Sequence, residues 1–548
     1  MILRAAPALV LSLMALPVAA GLLGTIGPAL RPGALEALLA WPGLARAIAL
    51  SLVTGLSSTV LALAVVVLIL ATLSESRAFT ALRRLLSPLL ALPHAAAALG
   101  LAFLIAPSGW IARALSPWAT GWSVPPDALI LNDPFGLSLT LGLVAKEIPF
   151  LLLMALAALP QTGAPARQVL AASLGYGRAS GFVFAVLPAL YPLLRLPCLA
   201  VLAYGMTSVE MGMILGPGLP PPLSVQVALW SAQADLATRP LAAAGALVQL
   251  GLVAAAMGLW LLAERAVIRL LRRATMAGLR ARALDAPLAA LALTLGAGLG
   301  GALALGLAGL ALWSFAGSWT FPDLLPQTLT FTIWQRAGMG LTATTLTTLA
   351  LALASAVVAL ALVLALLEAE ARQGRRLSLP AQAILWLPLL VPQIALLPGL
   401  QALALQLGAG GAAAVFAGHL VFVLPYVFLS LSAPFRAIDP RLATLAASLG
   451  AGPDRRFWHL RLPLLLRPAL TALAVGLAVS VGQYLPTLLL GGGRVTTLTT
   501  EAVALSSGGN RRLIGAYALL QMLLPTLGFA LAILVPALAF RHRKAMQR

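Results

Sequence analysis

Charged residues are scarce in this chain, and their scarcity excludes most classes of soluble protein. Only 9% of its 548 residues are charged, whereas soluble domains carry roughly 25%. Hydrophobic residues make up 61% of the chain, and the mean hydropathy is +1.01. Uncharged apolar runs recur throughout, and a run of about 20 residues spans a bilayer as a helix. The composition therefore predicts an integral membrane protein.

Several reactive patterns are also absent. The one cysteine, Cys198, excludes an intrachain disulfide and is expected to act as a small buried hydrophobic residue. The two lysines follow Ala145 and Arg543, not glycine, which excludes the phosphate-binding loop that ATP hydrolysis requires. The four histidines lack metal-ligand spacing, and no catalytic cluster of polar residues stands out. We therefore expect no enzyme and no bound metal or cofactor.

The apolar runs predict an all-α membrane protein of about twelve spanning helices. A lipid-facing β-barrel would need alternating polarity, which the runs lack. The first run is longer than the core of a secretory signal, about 7–15 residues, and is predicted to be a retained first span. The spans are expected near 5–28, 46–72, 88–107, 136–159, 183–212, 241–263, 288–316, 337–367, 380–407, 411–432, 462–490 and 513–540.

The distribution of basic residues predicts the orientation of the spans. With the N-terminus in the cytoplasm, 24 of the 35 basic residues fall in cytoplasmic segments and eight in the opposite loops. This bias agrees with the positive-inside rule and places both termini in the cytoplasm. The net charge of +20 is spread over short loops and forms no single stripe, so it indicates membrane topology and not nucleic-acid binding.

A six-residue phrase, Leu-Ala-Ala-Ser-Leu-Gly, occurs at 170–175 and again at 445–450, an offset of 275. A Leu-Pro pair follows each copy at the same distance. Because the offset is almost half the chain, we predict two homologous six-helix domains, 1–263 and 288–548. An even number of spans in each makes them a parallel pseudo-two-fold repeat. The basic segment 264–287 joins them in the cytoplasm, either as a tether or as a site for anionic lipid headgroups.

Each copy of the phrase lies in a cytoplasmic break and predicts a short helix, 165–174 in the first half and 440–449 in the second. Asp439 suits the N-cap of the second helix, and Gly450 suits the position after its end. A helix of this length is about 15 Å long, too short to span a membrane and marginal alone in water. It therefore needs a partner surface, which its small residues allow to approach closely.

At these residues the chain resembles the binding-protein-dependent ABC importer permeases. Their loop signature is Glu-Ala-Ala, three residues, then Gly, with a hydrophobic-Leu-Pro sequence downstream. The resemblance covers both halves, and the fused arrangement is similar to that of the ferric-iron and thiamine importers. The residues assigned to the signature are Leu170, Ala171, Ala172, Leu174, Gly175 and Pro188 in the first half, and Leu445, Ala446, Ala447, Leu449, Gly450 and Pro463 in the second.

The resemblance implies a pore-forming subunit in a bacterial inner membrane. Two cytosolic ATPase subunits would dock on the two short helices, and a periplasmic binding protein would deliver a small solute. One departure stands out, because Val169 and Thr444 occupy the position where the family often has glutamate. Because the glutamate is missing, a charge-assisted contact to the ATPase would be missing as well. Leu170 and Leu445 also replace the first alanine of the signature.

Four polar residues within or beside the spans are candidates for the translocation path: Lys146, Glu147, Glu210 and Gln483. Ionisable groups in membrane helices usually face a bundle interior or a water path. An internal ion pair or a position near the interface remains the alternative for the charged ones. Alignment at the offset of 275 sets Gln483 opposite Ser208, so the two halves present different groups. The outer stretches 213–240 and 491–512 are either contact sites for a binding protein or ordinary loops.

A different class of protein also accounts for part of the pattern. An ion-gradient-driven secondary transporter would explain twelve spans and a parallel repeat, but not the duplicated short helix. A membrane-embedded transferase would need a catalytic cluster, which the chain lacks. The solute itself is not readable from the sequence, since thiamine and ferric iron are suggested only by the fused arrangement.

Overall fold

A computed structural model describes residues 2–86, 88–233 and 235–540. Within these ranges the chain is built from α-helices without a strand, and the single β-bridge joins Ala316 to Leu329. The predicted all-α class is therefore confirmed. Four basic residues that entered the charge balance, Arg541, Arg543, Lys544 and Arg548, lie outside the described residues.

The first half begins with a long helix and ends with the longest one. Its helices are α1 (Ile2–Ala29), α2 (Ala34–Leu39), α3 (Leu44–Leu73), α4 (Arg77–Leu86), α5 (His94–Ile105), α6 (Trp110–Leu115), α7 (Leu137–Ala158), α8 (Ala164–Ser173), α9 (Arg178–Gly181), α10 (Leu187–Thr207), α11 (Val209–Leu215), α12 (Leu223–Ala232) and α13 (Arg239–Met276). Helix α13 thus continues as far as Met276, through the first part of the predicted linker.

The second half repeats this order of elements. Its helices are α14 (Asp285–Phe315), α15 (Thr332–Arg336), α16 (Gly338–Gln373), α17 (Leu379–Leu390), α18 (Gln393–Gln406), α19 (Ala412–Arg436), α20 (Pro440–Ser448), α21 (Pro453–Arg456), α22 (Leu462–Leu464), α23 (Leu466–Val481), α24 (Leu485–Gly491), α25 (Leu498–Ser506) and α26 (Arg511–Ala539).

Ten helical segments in the described residues are long and apolar enough to cross a membrane. Two further pairs, α17 with α18 and α21–α22 with α23, are bent by 94° and 73°, which gives twelve spans if each pair is one. The first bend follows from Pro392, because a residue before proline is disfavoured in the helical conformation. Val391 is accordingly extended, with φ −84° and ψ 127°.

Two predicted spans continue past a break in their helix. The span at 183–212 is interrupted at Ser208, which is extended, and α11 begins beyond it. The span at 462–490 is interrupted in the same way between α23 and α24. Hydropathy does not detect such breaks, because apolar residues continue on both sides of them.

The structure repeats local details in the two halves. A π-helical turn spans Phe182–Val186 in the first half and Phe457–Arg461 in the second. The hydroxyl of Ser51 accepts a hydrogen bond from the N–H of Leu223, at the start of α12, at 3.0 Å. Thr348 does the same for Leu498, at the start of α25, at 2.9 Å. Helices α3 and α16 are therefore structural equivalents.

The first helix of each half packs on the other half. Helix α1 lies against α16, α17 and α18, and α14 lies against α3, α4 and α5. Glycines permit the close crossings, since a Cβ added at Gly24 would stand 2.7 Å from the Cα of Gly399. At the equivalent crossing, a Cβ added at Gly306 would stand 2.4 Å from the carbonyl oxygen of Gly100. Small residues allow such backbone contact between membrane helices.

The interior is apolar and continuous across both halves. Cys198 is fully buried in it, which confirms the prediction of a small buried hydrophobic residue. The outer stretches 213–240 and 491–512 contain α12 and α25, whose apolar residues are buried in the same core. Both stretches thus contain a buried helix, although residues between the helices, such as Leu219, are exposed.

Candidate functional site

Two short helices, α8 and α20, lie at the positions of the repeated phrase. The structure places each within one residue of the predicted ranges 165–174 and 440–449. The side chain of Asp439 caps α20 by accepting a hydrogen bond from the N–H of Arg441 at 2.9 Å. Helix α8 begins after Gly163 without a side-chain cap, in keeping with its weaker start in sequence. We call α8 and α20 the docking helices, after the role that the family resemblance predicts for them.

Both docking helices present leucines to the surroundings. The exposed fractions are 62% for Leu170 and 57% for Leu174, which are one turn apart on α8. The equivalent Leu445 and Leu449 are 60% and 79% exposed. Because residues four apart share one helix face, each docking helix carries an exposed apolar edge. Apolar side chains in such a position mark a contact surface when they form a contiguous patch.

The small residues of the phrase are used differently in the two halves. Ala171 is buried, and its Cβ lies next to Gly181 at the start of the following span. Its equivalent Ala446 is partly exposed, whereas Ala172 and Ala447 are both exposed. The first docking helix is therefore seated more deeply against its own half than the second.

A left-handed glycine ends each docking helix. Gly175 has φ +88° and Gly450 has φ +80°, a conformation that side chains with a Cβ rarely adopt. Each chain then turns into the π-helical turn and the next span, where Pro188 and Pro463 occupy the first turn of α10 and α22. Each proline lies inside a continuous helical segment, and because it has no N–H to donate, the regular hydrogen-bond pattern is interrupted next to the π-helical turn.

Buried carboxylates anchor both ends of the second docking helix. Glu370 accepts hydrogen bonds from Arg436, which precedes the helix, with a shortest distance of 2.9 Å. Glu368 accepts one from Arg461, which follows it, at 2.5 Å, and another from Arg372 at 2.7 Å. Both glutamates lie near the end of α16. Charge-assisted pairs of this kind are stronger than neutral hydrogen bonds, so α16 and the docking segment are firmly joined.

The candidate path residues of the first half meet in a chain of contacts. Nε2 of His94 lies 3.6 Å from Oε1 of Glu147, and the rings of His94 and Tyr204 are 4.4 Å apart. The hydroxyl of Tyr204 donates to Glu210 at 2.6 Å and accepts from Ser208 at 3.0 Å. Glu147 and Glu210 are thus connected through a histidine and a tyrosine, beside the break at Ser208. We call these five residues the polar cluster.

Lys146 faces a different neighbour from Glu147. Its Nζ donates to the carbonyl oxygen of Leu89 at 3.1 Å, and the whole residue is buried. Adjacent positions on a helix point in different directions, so the Leu89 bond of Lys146 and the His94 contact of Glu147 lie on different neighbours. We define the polar cluster by the contacts that join its five members, and the bond from Lys146 to Leu89 is not one of them.

In the second half the glutamines Gln393 and Gln483 lie in the region where the first half has His94. Nε2 of Gln393 donates to Oε1 of Gln483 at 3.4 Å. Gln393 begins α18 directly after a proline, as His94 begins α5, so the two residues are equivalent. The hydroxyl of Tyr484 lies 3.3 Å from Sδ of Met213 on α11 and links the two halves. The interior is therefore pseudo-symmetric in backbone and asymmetric in side-chain chemistry.

Sequence reasoning missed part of this arrangement. His94 and Gln393 were not singled out, although each follows a proline at the start of a broken span. Tyr204 and the buried carboxylates Glu368 and Glu370 were missed as well. The Pro-His pair at 93–94 and the Pro-Gln pair at 392–393 could have indicated these residues. The two pairs are not separated by the offset of 275 that relates the repeated phrases.

Comparison with known proteins finds a sequence family that matches the second half of the chain. Residues 358–544 match the family described as "Binding-protein-dependent transport system inner membrane component". The matched segment contains the second docking helix and its anchoring carboxylates.

Individual relatives agree with this match. The inner membrane ABC transporter permease protein YnjC of Escherichia coli (strain K12) is 36% identical over 522 residues, covering 95% of this chain and 93% of that protein. The putative 2-aminoethylphosphonate transport system permease protein PhnV of Salmonella typhimurium is 32% identical over 96 residues, 18% of this chain and 36% of PhnV. The spermidine/putrescine transport system permease protein PotC homolog of Mycoplasma pneumoniae is 27% identical over 133 residues, 24% of this chain and 46% of that protein.

Proposed function

The chain belongs to the binding-protein-dependent transport system inner membrane components, and from this premise we propose that it is the pore-forming subunit of an ATP-driven importer of a small solute. As an ABC permease with many apolar helices it is a multi-pass inner-membrane protein and a transporter subunit. In our proposal both permease domains reside in one chain, and both termini and the docking helices face the cytoplasm.

The observation that carries the proposal is the pair of exposed apolar edges on α8 and α20. Leu170 with Leu174, and Leu445 with Leu449, occur at equivalent positions of two equivalent helices. A pair of like surfaces suits two copies of one partner, and family membership makes cytosolic ATPase subunits the expected partner. On the opposite side, a periplasmic binding protein would deliver the solute.

Alternating access follows from the way the halves are built. ATP-driven closure of the two ATPase subunits would move the docking helices toward each other. Each docking helix leads directly into a spanning helix, so the displacement would reach the breaks at Ser208 and Gln483. The ligand-dependent step is a shift between two states, which requires different contacts in each. We propose that the polar cluster, together with Gln483, lines the path at these breaks.

Charge substitution on the docking helices tests the proposal. The variant Leu170→Glu/Leu445→Glu places a carboxylate in each presumed apolar contact, where desolvation without a partner is costly. The matched control is Leu129→Glu, at a residue that is 75% exposed in the loop before α7, away from both docking helices. All chains are purified from their own host in mild detergent, and the co-purifying ATP hydrolysis is measured together with solute uptake in intact cells.

We expect the double variant to insert normally, to lose the co-purifying ATPase and to lose uptake, while the control retains both. An unchanged yield of ATPase in the double variant would contradict docking on α8 and α20. Uptake that persists with the ATPase inactivated, and depends on a proton gradient, would support a secondary transporter instead.

A further inference from the structure

The segment Arg280–Asp285, between the two halves, folds back onto the chain just after the first docking helix. The carbonyl oxygen of Arg280 accepts hydrogen bonds from the N–H of Gly177 at 3.0 Å and from the hydroxyl of Ser180 at 2.5 Å. The carboxylate of Asp285 accepts from the N–H of Arg178 at 2.7 Å and of Ala179 at 3.0 Å. These bonds satisfy backbone donors at the start of α9, which have no partner within the helix.

The backbone of this segment is held in a specific turn. Ala281 has φ +46°, in the left-handed region that a residue with a Cβ rarely adopts. Such a conformation persists where the surrounding contacts determine it. Here the turn directs the Arg280 carbonyl toward Gly177, and a Cβ added at Gly175 would stand 3.4 Å from Nε of Arg280.

Among the described residues, no segment like Arg280–Asp285 covers the equivalent position in the second half. Gly177 and Gly452 are related by the offset of 275 and share one extended conformation, with φ −68° and −63°. Gly177 is buried, and a Cβ there would stand 2.7 Å from Oδ2 of Asp285 and 2.9 Å from Cα of Arg282. Gly452 is exposed, and among the described residues a Cβ there would meet nothing within 4 Å.

The two halves thus anchor their docking helices by different means. On α16, Glu368 and Glu370 follow Thr348 by 20 and 22 positions. The residues that follow Ser51 on α3 by the same distances are Ala71 and Leu73, whose side chains cannot form salt bridges. The first half has no buried carboxylates at these positions, and Glu75, just beyond the end of α3, reaches Arg178 only as an exposed pair at 3.6 Å. In the first half the Arg280–Asp285 segment, which follows the docking helix by more than a hundred residues, holds the docking segment instead.

We propose that Arg280–Asp285 is a clamp that fixes the first docking helix to α14, and that Asp285 and the Arg280 carbonyl are positioning groups for energy coupling. The proposal rests on the proposed function, because it assigns the clamp to transmission of motion from an ATPase. Asp285 is the first residue of α14, which packs on α3 and α5 of the first half and on α26 of the second. Displacement of the first docking helix is thereby passed to both halves at once. The linker is then part of the coupling machinery and not a passive tether.

A matched pair of glycine substitutions tests the clamp. In Gly177→Ala the new methyl group collides with Asp285 and Arg282, whereas Gly452→Ala adds the same group at an open position. Alanine adopts the extended conformation of both glycines without strain. The second test is Asp285→Asn, which removes the charge and one of the two acceptors, with Asp285→Glu as the conservative variant that keeps the charge and both acceptors on a longer side chain.

Hydrogen exchange measures the contact itself in the purified full-length chain. We expect the amides of residues 177–179 to be protected in the wild type and in Gly452→Ala, and to exchange faster in Gly177→Ala and Asp285→Asn. Equal exchange in all four proteins would overturn the clamp, whatever the function of the chain.

Solute uptake per ATP hydrolysed measures the role, using the complex reconstituted in vesicles with its ATPase. We expect about a tenfold loss in Gly177→Ala and Asp285→Asn, partial recovery in Asp285→Glu and no loss in Gly452→Ala. Faster exchange with unchanged uptake per ATP would overturn the positioning role. A wild-type chain that binds no ATPase would refute the proposed function, and the exchange result would still decide the clamp.

Discussion

Gly306 of α14 lies so close to Gly100 of α5 that any side chain would enter the opposing backbone. The pair repeats between Gly24 and Gly399 at the symmetric crossing. These two contacts hold the exchanged first helices in place and make each half depend on the other.

We predict that Gly306→Leu prevents correct assembly of the two halves. Overpacking in a tight interior costs about 1–3 kcal/mol, and here the obstacle is backbone that cannot move aside. The control is Gly301→Leu on the same helix, where a Cβ would meet nothing within 4 Å. Thermal unfolding in detergent should show a large loss for Gly306→Leu only. Equal midpoints for the two variants would contradict the crossing.

The hydroxyls of Ser51 and Thr348 should contribute similar stability. Each accepts a hydrogen bond from the first N–H of a buried helix, and a buried donor left without a partner costs about 1–3 kcal/mol. Ser51→Ala and Thr348→Val should therefore lower the unfolding midpoint by similar amounts. Thr347→Val is the control, since its hydroxyl bonds only to its own helix at an exposed position. A loss in one half alone would argue against structural equivalence.

The glycines that end the docking helices should be required for uptake but not for insertion. Gly175→Val and Gly450→Val force a β-branched residue into a left-handed conformation, at a cost of about 1–2 kcal/mol each. A Cβ at Gly450 meets nothing within 4 Å, so its effect there is purely conformational. The expected result is loss of uptake at normal membrane abundance. Gly452→Val, at an extended glycine, should behave as the wild type, and full uptake in the Gly175/Gly450 double variant would count against the docking role.

Removal of the charge at Glu368 should destabilise the second docking segment. Glu368→Gln leaves two arginines without their buried carboxylate, and breaking a buried pair costs about 3–5 kcal/mol. Asp454→Asn removes an exposed partner of Arg372 in the same network, where the loss should be about 0–1 kcal/mol. Limited proteolysis of the α20 region in detergent compares the two. Similar cleavage rates would show that the buried pair does not anchor the helix.

Asp133, in the outer loop before α7, should make stability depend on pH. Burial alone would raise the pKa of this carboxylate, but hydrogen bonds from the N–H groups of Ser138, Leu137 and Phe135 and from the Ser138 hydroxyl leave the pKa below its usual value. A lowered pKa in the folded state adds stability above the unfolded pKa of about 3.9, and this stability is lost as pH falls through the folded pKa.

The comparison variant for this prediction is Asp133→Asn, which cannot titrate. Between pH 7 and pH 3 the wild-type unfolding midpoint should fall further than that of the variant. Parallel curves for the two proteins would show that the hydrogen bonds do not favour the charged form.

Much of the architecture could be predicted from composition and repetition. The scarcity of charge indicated a membrane protein, because apolar helices partition into the bilayer whatever their neighbours are. The docking helices were located to within one residue, since an N-cap such as Asp439 and a left-handed glycine such as Gly450 act within one or two turns. The role of these helices stays a prediction.

The contacts that join the halves depended on tertiary structure. Hydropathy continues across Ser208, so the break there is visible only where α11 turns away from α10. Lys146 and Glu147 are neighbours in the chain, yet their partners lie on different elements. Asp285 reads as one residue of a basic linker, but its carboxylate meets amides more than a hundred positions earlier. Local patterns decide which segments become helices, whereas helix crossings, buried ion pairs and the clamp arise only when distant segments pack together.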